Sequence, residues 1–147
     1  MDIFCRRKIL EFEEKLAKLV QRRFACCVSS GTAALEIAVK SLNIKEGSEI
    51  ITPAFSIISN TNAIIKNNLK PILIDSDIST WNIDIDDLEK KINKKTKAIM
   101  LPHIYGFSND MDKILKICKK NNLFLIEDAA EMIGQNYKKN LVVVLEI

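Results

Sequence analysis

Leu123-Phe124-Leu125-Ile126-Glu127-Asp128-Ala129-Ala130-Glu131 is an apolar run of strand length that ends in two adjacent carboxylates. Four successive apolar residues show no alternation, so the run predicts a strand buried on both faces, as in parallel sheets. Working outward, comparable runs fall at Glu49-Ile50-Ile51, Pro71 to Ile74 and Lys97 to Leu101. Between them lie helical patterns near Phe55 to Lys66, Ile85 to Ile92 and Met111 to Lys120. Upstream, Ile9, Phe12, Leu16, Leu19 and Val20 line one face of a helix, with Glu13, Glu14, Lys15 and Lys18 on the other. Phe24-Ala25-Cys26-Cys27-Val28 predicts a further buried strand, which runs through Ser29-Ser30-Gly31 into an Ala-rich helix from Thr32 to Leu42. This order predicts an α/β fold of three layers, a mostly parallel sheet with helices on both faces. Asp84 with Asp87 predicts a helix cap, and Ser108 or Asn109 is expected to cap the last helix.

The chain has 147 residues, 48% apolar and 28% charged, which suits one globular domain with a core. A net charge of +3 on scattered lysines argues against a nucleic-acid partner. The apolar runs are too short to cross a bilayer and residues 1–8 carry no hydrophobic signal region, so no membrane partner and a cytoplasmic location are expected. Cys5, Cys26, Cys27 and Cys118 lack C-x-x-C spacing and His103 is the sole histidine, so no metal site is expected. Cys26 and Cys27 are predicted to be small buried hydrophobes.

Parallel sheets bind ligands at the carboxyl ends of their strands. Ser29-Ser30-Gly31-Thr32-Ala33-Ala34 is one candidate there, because free amides at a helix N-terminus attract anions and Gly31 permits close approach. The same residues serve equally well as a plain Ser N-cap on a core helix, which is the commoner use. With four glycines in all, the chain contains neither a G-x-G-x-x-G nor a P-loop motif, which excludes dinucleotide and nucleoside triphosphate sites of those types. Asp128 is the second candidate: a carboxylate among alanines can hold a protonated ring nitrogen by a charge-assisted hydrogen bond. Read alone, Glu127 and Asp128 are equally the solvated start of a loop.

Several blocks in order resemble the DegT/StrS-type sugar aminotransferases, pyridoxal-phosphate (PLP) enzymes of fold type I. They include Phe12-Glu13-Glu14-Lys15-Leu16, Val28 to Leu35, Thr52-Pro53-Ala54-Phe55, Asn82-Ile83-Asp84, His103-Ile104-Tyr105-Gly106, Asp110-Met111-Asp112 and Ile126 to Glu131. The resemblance covers residues 9 to 139, and Glu127 to Gly134 looks most like members that make 4-amino sugars such as perosamine. It implies PLP as cofactor, with Gly31, Thr32 and Ala33 at its phosphate, Asp128 at its pyridinium nitrogen and Glu131 near its ring hydroxyl. Ile57 falls where the family carries a ring stacked on PLP, a loss of ~0.5–1.5 kcal/mol of ring-specific interaction. His103 lies in a family block, where a satisfied structural role is expected. The implied substrates are a nucleotide-linked 4-keto-6-deoxy sugar and an amino-acid donor such as glutamate, for surface polysaccharide, in a homodimeric enzyme.

By the same resemblance, residues 1–140 form the N-terminal part of the large domain. The Schiff-base lysine is expected beyond Ile147, so the chain carries no catalytic residue of its own; Lys138 and Lys139 are expected to be solvated. Where the family tends to read Pro-Cys-Gly-Ser-Phe-Gly-Asp-Ile, this chain has Leu141-Val142-Val143-Val144-Leu145-Glu146-Ile147. Reading suitable codons for that stretch one base later yields those seven residues, so 141–147 is expected to be an out-of-frame tail. Its β-branched run, with no polar alternation, is an aggregation hazard.

Overall fold

The computed structural model describes residues 3–132, 134–137 and 140–141. Helices α1 (Ile3–Leu19) and α2 (Gly31–Ser41) precede β1 (Glu49–Pro53), α3 (Ile58–Lys66), β2 (Lys70–Ile74), α4 (Ile85–Lys91), β3 (Thr96–Pro102), α5 (Met111–Asn121) and β4 (Phe124–Asp128). A short ribbon of β5 (Asn136–Tyr137) and β6 (Asn140–Leu141) follows, with Leu141 opposite Asn136. The other residues of the 141–147 stretch lie outside the described residues, as do Lys138 and Lys139.

Strands β1 to β4 form a parallel sheet in the order β2-β1-β3-β4. Successive side chains of a strand face opposite ways, and here both ways lead into protein. Ile50, Ala98, Met100 and Ile126 share a core with Leu35, Ala38 and Val39 of α2 and with Ala63 and Ile64 of α3. Ile51, Ile99, Leu101 and Leu125 share the other core with Leu88 of α4 and with Ile114 and Ile117 of α5. Two covered faces explain why the strands read as continuous apolar runs. The chain winds from β1 to β2, then crosses back to β3. That reversal opens a crevice at the carboxyl ends of β1 and β3.

The caps explain where the helices begin. Ser30 is extended and its Oγ accepts from the Ala33 amide at 3.2 Å, which starts α2. Asp84 Oδ1 accepts from the Asp87 amide at 3.0 Å, as predicted. Asp84→Ala should therefore lower stability by about 1 kcal/mol, read as a lower urea midpoint at constant slope; an unchanged midpoint would show that α4 is held by Leu88 alone. The expected cap of α5 is corrected: Asp110, not Ser108 or Asn109, accepts from the Lys113 amide, at 3.3 Å. Asn109 is buried and its side chain is committed elsewhere. Helix α3 starts at Ile58 rather than Phe55, because residues 54–56 bend away from the end of β1.

The predicted strand at Phe24 to Val28 does not form. The segment is irregular, Phe24 is 75% exposed, and both Cys26 and Cys27 are exposed and free, which corrects their assignment as buried hydrophobes. A strand needs a neighbour to complete its hydrogen bonds, and no described strand lies beside this one. Local desolvation, then the Glu13 carboxylate, push the Cys27 thiol above its ordinary value, which is the opposite of what activates a thiol as a nucleophile. Helix α1 forms as predicted, but Phe12 and Leu19 on its apolar stripe are each 55% exposed. No helix among the described residues is long and apolar enough to cross a membrane.

Candidate functional site

The first turn of α2 points its amides outward at the carboxyl edge of the sheet. Ser30 engages Ala33, whereas among the described residues no acceptor is recorded for the amides of Gly31 and Thr32. A Cβ built on Gly31 meets no atom within 4 Å, so the chain leaves open space beside the first residue of α2. Thr32 Oγ1 lies 3.5 Å from Ser59 Oγ, which brings the start of α3 against the start of α2. Two helix N-termini thus converge with two hydroxyls, an arrangement suited to an anion. Ile57 stands just before α3, with its side chain 46% exposed at that edge. Below it, Thr52 Oγ1 and both amide atoms of the Asn60 side chain are buried with no hydrogen-bond partner among the described residues.

Asp128 ends β4. Its Oδ1 accepts from the Ala130 amide at 3.2 Å, and its carbonyl accepts from the His103 amide at 3.0 Å. By strand alternation its side chain shares the face of Ile126, the face on which α2 packs, while Glu127 turns to the opposite face. Glu127 is not the solvated start of a loop. Glu127 is buried, with Oε2 3.1 Å from His103 Nε2, and His103 is itself 1% exposed. Glu131 Oε2 accepts from the Tyr105 amide at 2.5 Å, which ties the loop after β4 to the loop after β3.

Sequence reasoning missed the aromatic wall of this edge. Phe55, Trp81, Tyr105 and Phe107 line a cavity of about 640 Å³ with Asn82 and Ser108, and the Phe55 and Trp81 rings stand 5.4 Å apart. Trp81 and Tyr105 adopt positive φ, uncommon for aromatic residues, and no sequence signal marks that. Beside the cavity, Asp77 Oδ1 accepts from the hydroxyls and amides of Ser79 and Thr80. The Ser79 hydroxyl foremost, then Thr80, hold the Asp77 carboxyl below the ordinary range. Its four bonds close the loop between β2 and α4, so Asp77 is an architectural group.

The frame is shared with proteins of known structure. The chain is 45% identical over 134 residues to the GDP-perosamine synthase of Escherichia coli O157:H7, covering 91% of this chain and 37% of that protein. It is thus little more than a third of that relative's length. Its fold matches DesV of S. venezuelae, solved with a ketimine intermediate, with a TM-score of 0.88 and 28% identity over 91% of this chain and 36% of the other. It also matches 3-amino-5-hydroxybenzoic acid (AHBA) synthase, with a TM-score of 0.87 and 31% identity over 91% of this chain and 35% of the other. The sequence model of the DegT/DnrJ/EryC1/StrS aminotransferases aligns from residue 5 to residue 144, across every element of the sheet and the edge just described, and this chain belongs to that family.

Proposed function

We propose that this chain is the cofactor-holding N-terminal part of a cytoplasmic PLP-dependent aminotransferase for nucleotide-linked 4-keto-6-deoxy sugars. The observation that carries the reading is the open first turn of α2 on the same face as Asp128. The donor set suits PLP: the Gly31 and Thr32 amides with the Thr32 and Ser59 hydroxyls for a phosphate, and a carboxylate for a protonated pyridine nitrogen. Ala33, in the same turn with its amide held by Ser30, would add backbone beside the phosphate, Ile57 would offer an apolar surface to one ring face, and Glu131, held by the Tyr105 amide, would be the carboxylate for the ring hydroxyl. When bound, PLP supplies an electron-accepting ring for amino-group exchange. The residues here bind and orient that ring and hold the proton on its nitrogen. The likeness to a GDP-perosamine synthase supports a nucleotide-linked sugar as acceptor and an amino acid as donor.

The lysine that would bond the cofactor covalently is expected elsewhere in a complete enzyme, so the 147 residues alone should not transaminate. A second reading, a non-catalytic chain that binds PLP or a full-length homologue, is favoured by the exposed Phe12, Leu19 and Phe24.

The test uses pyridoxamine 5′-phosphate (PMP), whose amine cannot attach to surface lysines, in isothermal titration. Wild type should bind it. Gly31→Ala should melt no lower than wild type, because its new methyl meets no protein atom and the unfolded chain loses freedom, yet bind about tenfold more weakly, or about 1.4 kcal/mol. Absence of wild-type binding up to ~1 mM, a threshold of about 4 kcal/mol, would sink the cofactor reading.

A further inference from the structure

We propose that His103 is a positioning residue that anchors the end of β4 and thereby aims the Asp128 carboxylate at the first turn of α2. The proposal rests on the cofactor reading above for its purpose, but its geometry is independent of that reading. The imidazole is enclosed between two polar partners. Asn109 presents two donors to Nδ1, its backbone amide at 3.4 Å and its side-chain Nδ2 at 3.3 Å. Facing two donors, Nδ1 is the acceptor, so the ring proton of the neutral form sits on Nε2 and is donated to Glu127 Oε2 at 3.1 Å.

Asn109 is fixed in turn. Its Nδ2 donates to the Pro102 carbonyl at 2.9 Å, and its Oδ1 accepts from the Ile83 amide at 3.2 Å. One ring therefore joins the end of β3, the loop before α5, the segment before α4 and the side chain of β4. The backbone adds a second grip, since the His103 amide donates to the Asp128 carbonyl at 3.0 Å. Glu127 and Asp128 point to opposite faces, and the register pairs Leu101 with Glu127 and Pro102 with Asp128. Pinning Glu127 from the α5 side sets the rotation of the strand end, and that rotation decides where Asp128 points on the α2 side. A histidine present only to fill space would not need both ring nitrogens engaged, nor a buried carboxylate opposite.

His103 is the sole histidine, so its ring can be observed without assignment ambiguity. Long-range 1H–15N spectra of the uniformly labelled chain should show the Nε2–H tautomer; the Nδ1–H tautomer would overturn the proposal. Function is read with PMP labelled with 15N at the pyridine nitrogen. His103→Leu should weaken PMP binding at least tenfold and move the ring-nitrogen signal toward that of free PMP. His103→Gln, whose amide supplies one donor and one acceptor, should restore most of both.

Should His103→Leu fail to fold with Glu127 left buried and unpaired, the double variant His103→Leu/Glu127→Leu removes the anchor together with that charge and takes its place. An unchanged ring-nitrogen signal in whichever leucine variant folds would overturn the proposal even if affinity fell. If wild type binds no PMP, the cofactor reading fails separately and the anchor is judged in the free chain. There, at least tenfold faster hydrogen exchange at residue 103 and displaced Asp128 and Ala130 amide signals support it, and unchanged values reject it.

Discussion

Asp128→Ala is expected to weaken PMP binding by tenfold to about a hundredfold while leaving the fold nearly intact. The carboxylate is only partly buried, and its side-chain bond is a local, solvent-accessible one to the Ala130 amide at 3.2 Å, so its loss should cost about 1 kcal/mol, as for a capping carboxylate. Toward a bound pyridinium the same group acts through a charge-assisted bond of about 1.5–3 kcal/mol, which is the origin of the tenfold to hundredfold range. Asp128→Asn keeps the shape without the charge and should fall between wild type and alanine. Titration and thermal melting on the same samples separate the two effects. Equal affinity in wild type and Asp128→Ala would mean that no ring nitrogen is held there.

The opposite pattern is expected two residues earlier in the same strand. Ile126→Ala should destabilise the chain by about 3–5 kcal/mol, because Ile126 is fully buried between the sheet and α2 and its loss leaves a cavity as well as removing apolar contact. Against a total stability of about 5–15 kcal/mol for an ordinary domain, that is a large share. Phe124→Ala, on the same strand but 42% exposed, serves as the contrast and should cost about 1 kcal/mol. Urea unfolding should rank the two variants in that order. Similar midpoints would indicate that the α2 layer is not packed against β4 as described.

The two residues also illustrate how much was legible beforehand. Ile126 was recognisable as core from an apolar run that shows no alternation, and its burial follows from helices on both faces. Asp128 was recognisable only as one of two alternatives, since a carboxylate at a strand end reads the same whether it faces solvent or a ligand. What separates Asp128 from Glu127 is the side of the sheet each faces, and that depends on how β4 registers against β3. His103 was expected to be structural, but nothing in the chain order announced Asn109, six residues on, or Glu127, 24 residues on, as its partners.

Local chemistry therefore determined the elements. Helical spacing, the Ser30 and Asp84 caps and the unbroken apolar runs act within a few residues, so the sequence by itself specified most helices, four parallel strands and the capped start of α2. Tertiary structure alone decided whatever needs a distant partner. Phe24 to Val28 has strand composition yet remains irregular, because no described strand completes its hydrogen bonds. Asn109 yields the α5 cap to Asp110 because the end of β3 and the segment before α4 claim its amide. The same holds for the His103–Glu127 pair and the aromatic cavity, whose members come from separate loops and meet only once the sheet has set the loops side by side.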